Sequence, residues 1–221
     1  LENYHKYVVE SQHEKIQWEL CNYFRKKNFC YIIAHEQLNI FRQLVGVDLL
    51  IQKDPFLRIS RPNKEKDNIG YHRDTVYGQS PFEVSVLIPL VNLNANSCLK
   101  FLPKSHVSSD KRFKFDSINT DIKKGSKKHN LGYPYSPKIP KVMEKKMFAP
   151  NVKFGNAIIF SPSIVHGQKV NTSTRTRFSF DFRIMNMFSP VKLKNGTSRD
   201  YKQLVQSSIS KVASIYFHNN K

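Results

Sequence analysis

Residues 69–75 read Ile69-Gly-Tyr-His-Arg-Asp-Thr75, and residues 155–167 read Gly155-Asn-Ala-Ile-Ile-Phe-Ser-Pro-Ser-Ile-Val-His-Gly167. On an extended chain, residues two apart point to the same side. His72 and Asp74 therefore present an imidazole and a carboxylate together. His166 follows a strand and a turn, and supplies a second imidazole. Two histidines and one carboxylate on one face of a metal ion leave three coordination positions free. That set suits Fe(II) centres that bind 2-oxoglutarate through two positions and O2 through the third, although other divalent ions also accept it. His72-Arg73-Asp74 also spells the catalytic loop of a protein kinase. That reading does not hold, because the Asn required five residues after the Asp is replaced by Gln79. No glycine-rich phosphate loop precedes the triplet and no Asp-Phe-Gly follows it.

Outward from this pair, the chain divides into helices first and strands afterwards. Ser11–Lys27 carries Ile16, Leu20 and Phe24 at helical spacing. Phe29–Ala34 is a short apolar run that reads as a buried strand, and Leu38–Ile51 reads as another helix. Phe56–Ser60 alternates, with Arg58 and Ser60 on one face. Glu83–Leu90 places Val84, Val86 and Ile88 on one side and Glu83, Ser85 and Leu87 on the other. Cys98–Leu102 and Asn156–Phe160 are short strands stopped by Pro103 and Pro162. Phe178–Ile184 alternates aromatic residues with Ser179, Asp181 and Arg183, and Tyr201–Phe217 reads as a terminal helix. The pattern predicts an α+β chain of one domain, residues 1–221, whose second part is a sandwich or barrel.

Arg177 stands eleven residues beyond His166 and is followed by Phe178 and Ser179. An Arg-x-Ser on a strand puts a guanidinium and a hydroxyl on one face. A guanidinium pairs with a carboxylate through two parallel hydrogen bonds, and the serine adds a third. Such a pair would hold the far carboxylate of 2-oxoglutarate. The competing reading of a lone arginine is a surface salt bridge, and the spacing from His166 weighs against it.

Together these stretches resemble a known family. The residues that carry the resemblance are Ile69–Thr75, Ile88-Pro-Leu-Val-Asn-Leu93, Asn96-Ser-Cys-Leu-Lys-Phe-Leu-Pro-Lys-Ser-His106, Gly155…Phe160…His166-Gly167 and Arg177-x-Ser179. In this order they are similar to the phytanoyl-CoA dioxygenase-like superfamily of Fe(II)/2-oxoglutarate oxygenases, over about residues 58–183. The resemblance implies a double-stranded β-helix, or jelly roll, with N-terminal helices packed outside. It implies His72, Asp74 and His166 as metal ligands and Arg177 as the 2-oxoglutarate anchor. The implied reaction is hydroxylation coupled to decarboxylation of 2-oxoglutarate to succinate, with O2 as co-substrate. Gln168 stands where family members often carry Ser, and is a candidate for the 2-oxoglutarate contacts. Lys104 replaces the family's usual Gly. Members often place a basic residue upstream of the metal motif, which makes Arg58 a candidate contact and Arg61 its neighbour. Asp74 is a carboxylate where related halogenases carry a small residue, and so implies hydroxylation or a related oxidation. The overall texture resembles the small bacterial members associated with carbohydrate biosynthesis clusters.

The formal charge is +19 over 221 residues, with 39% hydrophobic residues, 16 Phe and 10 Tyr. That aromatic content excludes a disordered chain, and the charge favours anionic partners. Residues 104–153 hold thirteen Lys/Arg against four Asp/Glu. Within them, residues 107–152 are polar and rich in proline, and read either as a lid over the site or as a solvated loop. Lys123, Lys124, Lys127 and Lys128 are the lid's candidate contacts to a small anionic substrate, with Gly125 and Gly132 as its hinges. A nucleic-acid-binding or nucleic-acid-modifying protein is the rival reading, disfavoured because no binding motif appears. A cupin-type metalloenzyme that does not use 2-oxoglutarate is the other, disfavoured by Arg177 and Ser179. Tyr71 and Tyr77 line the pocket or fill the core, His106 closes a turn, and Cys98 is a core residue. No apolar run reaches the length of a membrane span, and Leu1–Glu10 has no signal-like character. With three unpaired-looking cysteines, the expectation is a cytoplasmic protein, so the sequons at Asn171 and Asn195 read as chance.

Overall fold

The computed structural model describes residues 1–113, 115–117, 122–123, 125–133, 138–140, 144–190 and 200–219. Among the described residues, ten strands run β1 (Leu49–Gln52), β2 (Phe56–Ser60), β3 (Glu83–Pro89), β4 (Lys100–Phe101), β5 (Phe115–Ser117), β6 (Lys138–Pro140), β7 (Ile158–Phe160), β8 (His166–Gly167), β9 (Arg177–Asn186) and β10 (Tyr201–Val205). The same residues hold six α-helices, α1 (Tyr4–Tyr7), α2 (Glu10–Lys27), α3 (Phe29–Glu36), α4 (Leu38–Val45), α5 (Lys127–Asn130) and α6 (Ser208–Asn219).

The large antiparallel sheet is ordered β10-β1-β9-β3-β7, with β2 also paired to β9. The ten residues of β9 organise it. Alternation sends Phe178, Phe180, Phe182 and Ile184 to one face, where each is at most 2% exposed. The N-terminal helices cover that face. Tyr4 meets Phe178 edge-on and Phe24 packs on Phe180, while the Gln17 amide of α2 donates to the Leu57 carbonyl of β2. The opposite, inner face carries Arg177, Ser179, Asp181 and Arg183. Register extends this polar stripe, since Arg58 lies opposite Ser179 and Ser85 opposite Arg183.

A smaller sheet crosses the inner face. β4 pairs with β8, His72 bridges to His166, and Phe101 bridges to Phe148. The two sheets form the double-stranded β-helix, with helices outside it. None of the described helices is long and apolar enough to cross a membrane.

Three expected elements differ. Phe29–Ala34 is the start of helix α3, not a strand: its buried residues are Cys30 and Ala34, four apart on one helical face. The helix expected over Leu38–Ile51 stops at Val45 because Gly46, at φ 115°, leaves the helical region. Leu49–Gln52 then pairs with both β9 and β10. Tyr201–Val205 is strand β10, and the terminal helix begins only at Ser208, where the Asp48 carboxylate accepts from the Ser207 amide and the Ser210 hydroxyl.

The strands bearing the two histidines approach unusually closely. A Cβ placed on Gly167, at φ 143°, would lie 1.9 Å from the Gly70 carbonyl oxygen. Gly167→Ala must therefore force these strands apart. It is expected to lower stability by about 3 kcal/mol through overpacking and backbone strain, read as a shift in the urea midpoint. A change under about 0.5 kcal/mol, the scale of ordinary surface substitutions, would show that the approach imposes no constraint.

Candidate metal centre

His72 and His166 face each other across a pair of backbone hydrogen bonds, each amide donating to the other's carbonyl at 2.9 Å. Their ring centroids lie 4.6 Å apart. Each Nδ1 sits within hydrogen-bond distance of a carbonyl two residues earlier in its own strand, Gly70 at 3.0 Å and Ile164 at 2.9 Å. Those acceptors assign the proton to Nδ1 and leave the Nε2 lone pairs pointing inward. Asp74 opens a short 3-10 turn. Its Oδ1 lies 3.3 Å from Nε2 of His72 and 3.8 Å from Nε2 of His166. One ligand atom from each residue falls within 4.8 Å of the others, and all three residues are buried.

The electrostatics prepare these groups for a cation. Burial alone would raise the Asp74 carboxyl, but Arg183, His166 and His72 together hold it well below the usual carboxylate range. Burial, reinforced by His72, pushes His166 down to about 4 despite Asp74. At neutral pH the site therefore offers a carboxylate and, at His166, a neutral imidazole, the forms that bind metal. Phe101 and Phe160 flank the His166 ring.

Arg177 and Ser179 lie further along the inner face of β9. Arg177 lines the same cavity of about 890 Å³ as the three ligand candidates. Its Nη1 donates to the Gln168 side-chain oxygen at 2.8 Å, and the Gln168 amide nitrogen donates to the Asn96 carbonyl at 3.0 Å. Gln168 thus steadies Arg177. Two buried groups, Nε of Arg177 and the Ser179 hydroxyl, have no hydrogen-bond partner among the described residues. Nε of Arg42, Arg73 and Arg183 is unsatisfied as well; Arg177 stands out because it lines the cavity with a neutral side chain, Gln168, as its hydrogen-bond partner. Burial lowers the Arg177 guanidinium from its ordinary value, so a bound anion would stabilise its charged form.

Arg58 also lines the cavity, with two of its donors engaged: Nε with Asp181 at 2.9 Å and Nη1 with the Leu131 carbonyl at 2.9 Å. Arg61 is held by Asp67 and Glu10, away from the metal motif. Tyr77 lines the cavity beside His72. Tyr71 is buried with Phe113 and Val165. Cys98 is a core residue. His106 is exposed; its neighbour Ser105 ties the turn, accepting from the Val165 amide at 2.7 Å. Asn171 is fully buried and donates to the Ser60 carbonyl, and Asn195 lies outside the described residues.

Of the basic insertion, His129, Asn130, Gly132 and Tyr133 line the cavity. The carbonyls of Asn130 and Leu131 accept from Arg25 and Arg58, and the Tyr133 hydroxyl donates to the Asp67 carbonyl at 2.9 Å. Gly132 has no room for a Cβ, which would lie 2.7 Å from Phe56; this glycine serves packing, not a hinge. Lys123 and Lys127 are exposed, Lys128 lies over the Tyr133 ring, and Lys124 lies outside the described residues.

Sequence reasoning gave no role to Arg73, Arg183, Glu83 or Tyr201. Arg73 points away from the ligands and binds the carbonyls of Ser105 and Ser108, over the Phe113 ring. Alternation had placed Arg183 on the Ser179 face and Glu83 with Ser85, but their partners come from strands distant in sequence.

A jelly roll with two histidines and a carboxylate clustered between its sheets defines a candidate mononuclear metalloenzyme. Residues 14–179 match the family model described as phytanoyl-CoA dioxygenase (PhyH), and the chain belongs to that family. No curated protein matches the sequence. Among solved structures, the apo form of the non-heme monooxygenase ThoJ is similar at 17% identity and a TM-score of 0.51, covering 80% of this chain and 61% of that one. EvdO2 from Micromonospora carbonacea var. aurantiaca, complexed with 2-oxoglutarate, is similar at 17% identity and a TM-score of 0.51, covering 77% and 62%. The chain thus spans about three fifths of the length of these structures. At this identity they share the fold.

The shifted histidines set a pH dependence. In the metal-free protein His13 and His166 are both held near 4, mainly by burial. Unfolding returns them toward 6.5, so the unfolded chain binds more protons between pH 6.5 and 4, and stability falls as pH falls through that window. Glu83, pushed up to about 7 by burial, acts in the opposite sense between 7 and its ordinary 4.5. Two groups against one, with Asp74 adding at the acid end, leave a net loss. Urea midpoints of metal-free protein at pH 6.5 and 4.5 check the sign; a midpoint that rises on acidification contradicts these assignments.

Proposed function

We propose that the chain is an Fe(II)- and 2-oxoglutarate-dependent oxygenase that hydroxylates an unactivated C–H bond of a small, polar substrate. His72, Asp74 and His166 would hold the iron. The observation that carries this reading is Arg177, which lines the cavity of the metal cluster with its Nε unsatisfied, two residues before the buried, equally unsatisfied hydroxyl of Ser179 on the same strand. A carboxylate there would satisfy both, as the far end of 2-oxoglutarate does. Bound iron with 2-oxoglutarate supplies the oxidising chemistry, in which O2 gives one oxygen atom to succinate and one to the substrate.

The chain's own residues bind and orient. Arg177, steadied by Gln168, anchors the co-substrate. Phe101, Phe160 and Tyr77 surround the histidines with apolar surface and limit water near the metal. Arg58 contributes through the wall it fixes, by holding the Leu131 carbonyl. His129, Asn130, Gly132 and Tyr133 of the insertion contribute to the cavity wall, and the surplus of lysines in the insertion's sequence favours a substrate bearing phosphate or carboxylate, such as a sugar or nucleotide-sugar derivative.

Removing a charge-assisted, desolvated pair costs about 2–5 kcal/mol. Arg177→Ala should therefore weaken 2-oxoglutarate binding to the Fe(II)-loaded protein well over tenfold in anaerobic calorimetry, with iron still bound. Unchanged affinity would move the anchor elsewhere, with Arg58 the first suspect. Succinate release, screened across nucleotide-sugars, sugar phosphates and acyl thioesters, identifies the substrate class.

A further inference from the structure

The two oxygens of Asp74 face different surroundings. Oδ1 points at the imidazoles. Oδ2 points the other way and accepts from Nη2 of Arg183 at 2.9 Å and from the Ser85 hydroxyl at 3.3 Å. The guanidinium that covers Oδ2 is also contacted from β1 and β3, although its Nε and Oε1 of Glu83 pair by charge alone, without a hydrogen bond. Its Nη1 donates to Gln52 of β1 at 3.3 Å, and its Nε lies 3.7 Å from Oε1 of Glu83 on β3. The other Glu83 oxygen accepts from the Tyr201 hydroxyl of β10. Strands β10, β1, β9 and β3 thus converge on one buried arginine. Arg183 and Tyr201 both lie beyond residues 14–179, which the family model matches.

A carboxylate with both oxygens free can chelate a metal and occupy two positions on it. We propose that Arg183 is a positioning residue that covers Oδ2 of Asp74 and so restricts this carboxylate to one ligand atom, with Glu83 and Tyr201 holding Arg183 in place. This rests on the metal centre proposed above. Its consequence is the number of open positions. Three protein atoms leave three positions, enough for 2-oxoglutarate and one further ligand. A chelating Asp74 leaves two, which 2-oxoglutarate alone would fill. A merely structural ion pair would support folding but leave the coordination count unchanged. Loss of the arginine also removes a positive charge beside the cation, so metal binding should not weaken.

Mn(II) is a suitable probe, because its effect on water proton relaxation counts the exchangeable waters on the ion. In the parent protein, bound Mn(II) should carry three waters, and one after 2-oxoglutarate is added. Arg183→Gln should bind Mn(II) at least as tightly, with the inner-sphere relaxation enhancement lowered by about a third, as expected when one of three open facial positions is lost. Added 2-oxoglutarate should then abolish the inner-sphere contribution. Glu83→Gln combined with Arg183→Gln removes both charges together; it should give the same count and covers the case in which an isolated Glu83 unfolds the barrel. Arg183→Lys, which keeps a cationic donor, should restore three waters. Three waters in the glutamine variants would overturn the inference, as would loss of Mn(II) binding by a folded Arg183→Gln. A parent protein that binds no Mn(II), or binds it equally well after His72→Ala, would instead overturn the metal-centre reading, and the inference with it.

Discussion

The reciprocal backbone hydrogen bonds between His72 and His166 join two segments almost a hundred residues apart and set their imidazoles side by side. Neither side chain has freedom to search for its partner, because the strands are locked and each Nδ1 is tied to its own backbone. Gly167 permits that closeness, since any side chain there would meet the Gly70 carbonyl. Once the pair is fixed, Asp74 needs only to reach the same point from two residues further along.

Strand β9 divides the remaining labour between its faces. The outer face buries three phenylalanines against the helices, and this burial drives folding. The inner face buries charge, which is expensive unless each ion is paired. Arg58 meets Asp181, and Arg183 meets Asp74 and Glu83. Arg177 differs in its partner: its side-chain hydrogen bond is to the neutral Gln168, and its Nε, like that of Arg183, has no hydrogen-bond acceptor among the described residues. An anion bound there would relieve this imbalance, which is the physical basis of the proposed co-substrate anchor.

Much of this was legible in the sequence. The clustering of His72, Asp74 and His166 could be read because the two-residue spacing of the first pair is local; Arg177 and Ser179 were singled out by their spacing beyond His166, and they lie on the inner face of β9. The jelly roll came from resemblance, since alternation alone gave only a sandwich or barrel. Helix α3 was misread because an apolar run of six residues fits both periods. The strand character of Leu49–Gln52 and Tyr201–Val205 was hidden because each is defined by pairing with the other across the whole chain. For the same reason the surroundings of Arg183 were invisible: Glu83, Gln52 and Tyr201 reach it from three separate strands. Gln168 and Arg58 were singled out as ligand contacts, whereas their visible bonds are to Arg177 and Asn96, and to Asp181 and Leu131.

The most direct measurement is the visible absorption of purified protein loaded with Fe(II) and 2-oxoglutarate under nitrogen. Chelation of the keto acid by iron held at His72, Asp74 and His166 gives a weak charge-transfer band, and His72→Ala and His166→Ala should each abolish it while the protein stays folded. A band of parental strength in both folded variants would contradict the assignment of these residues as the ligands.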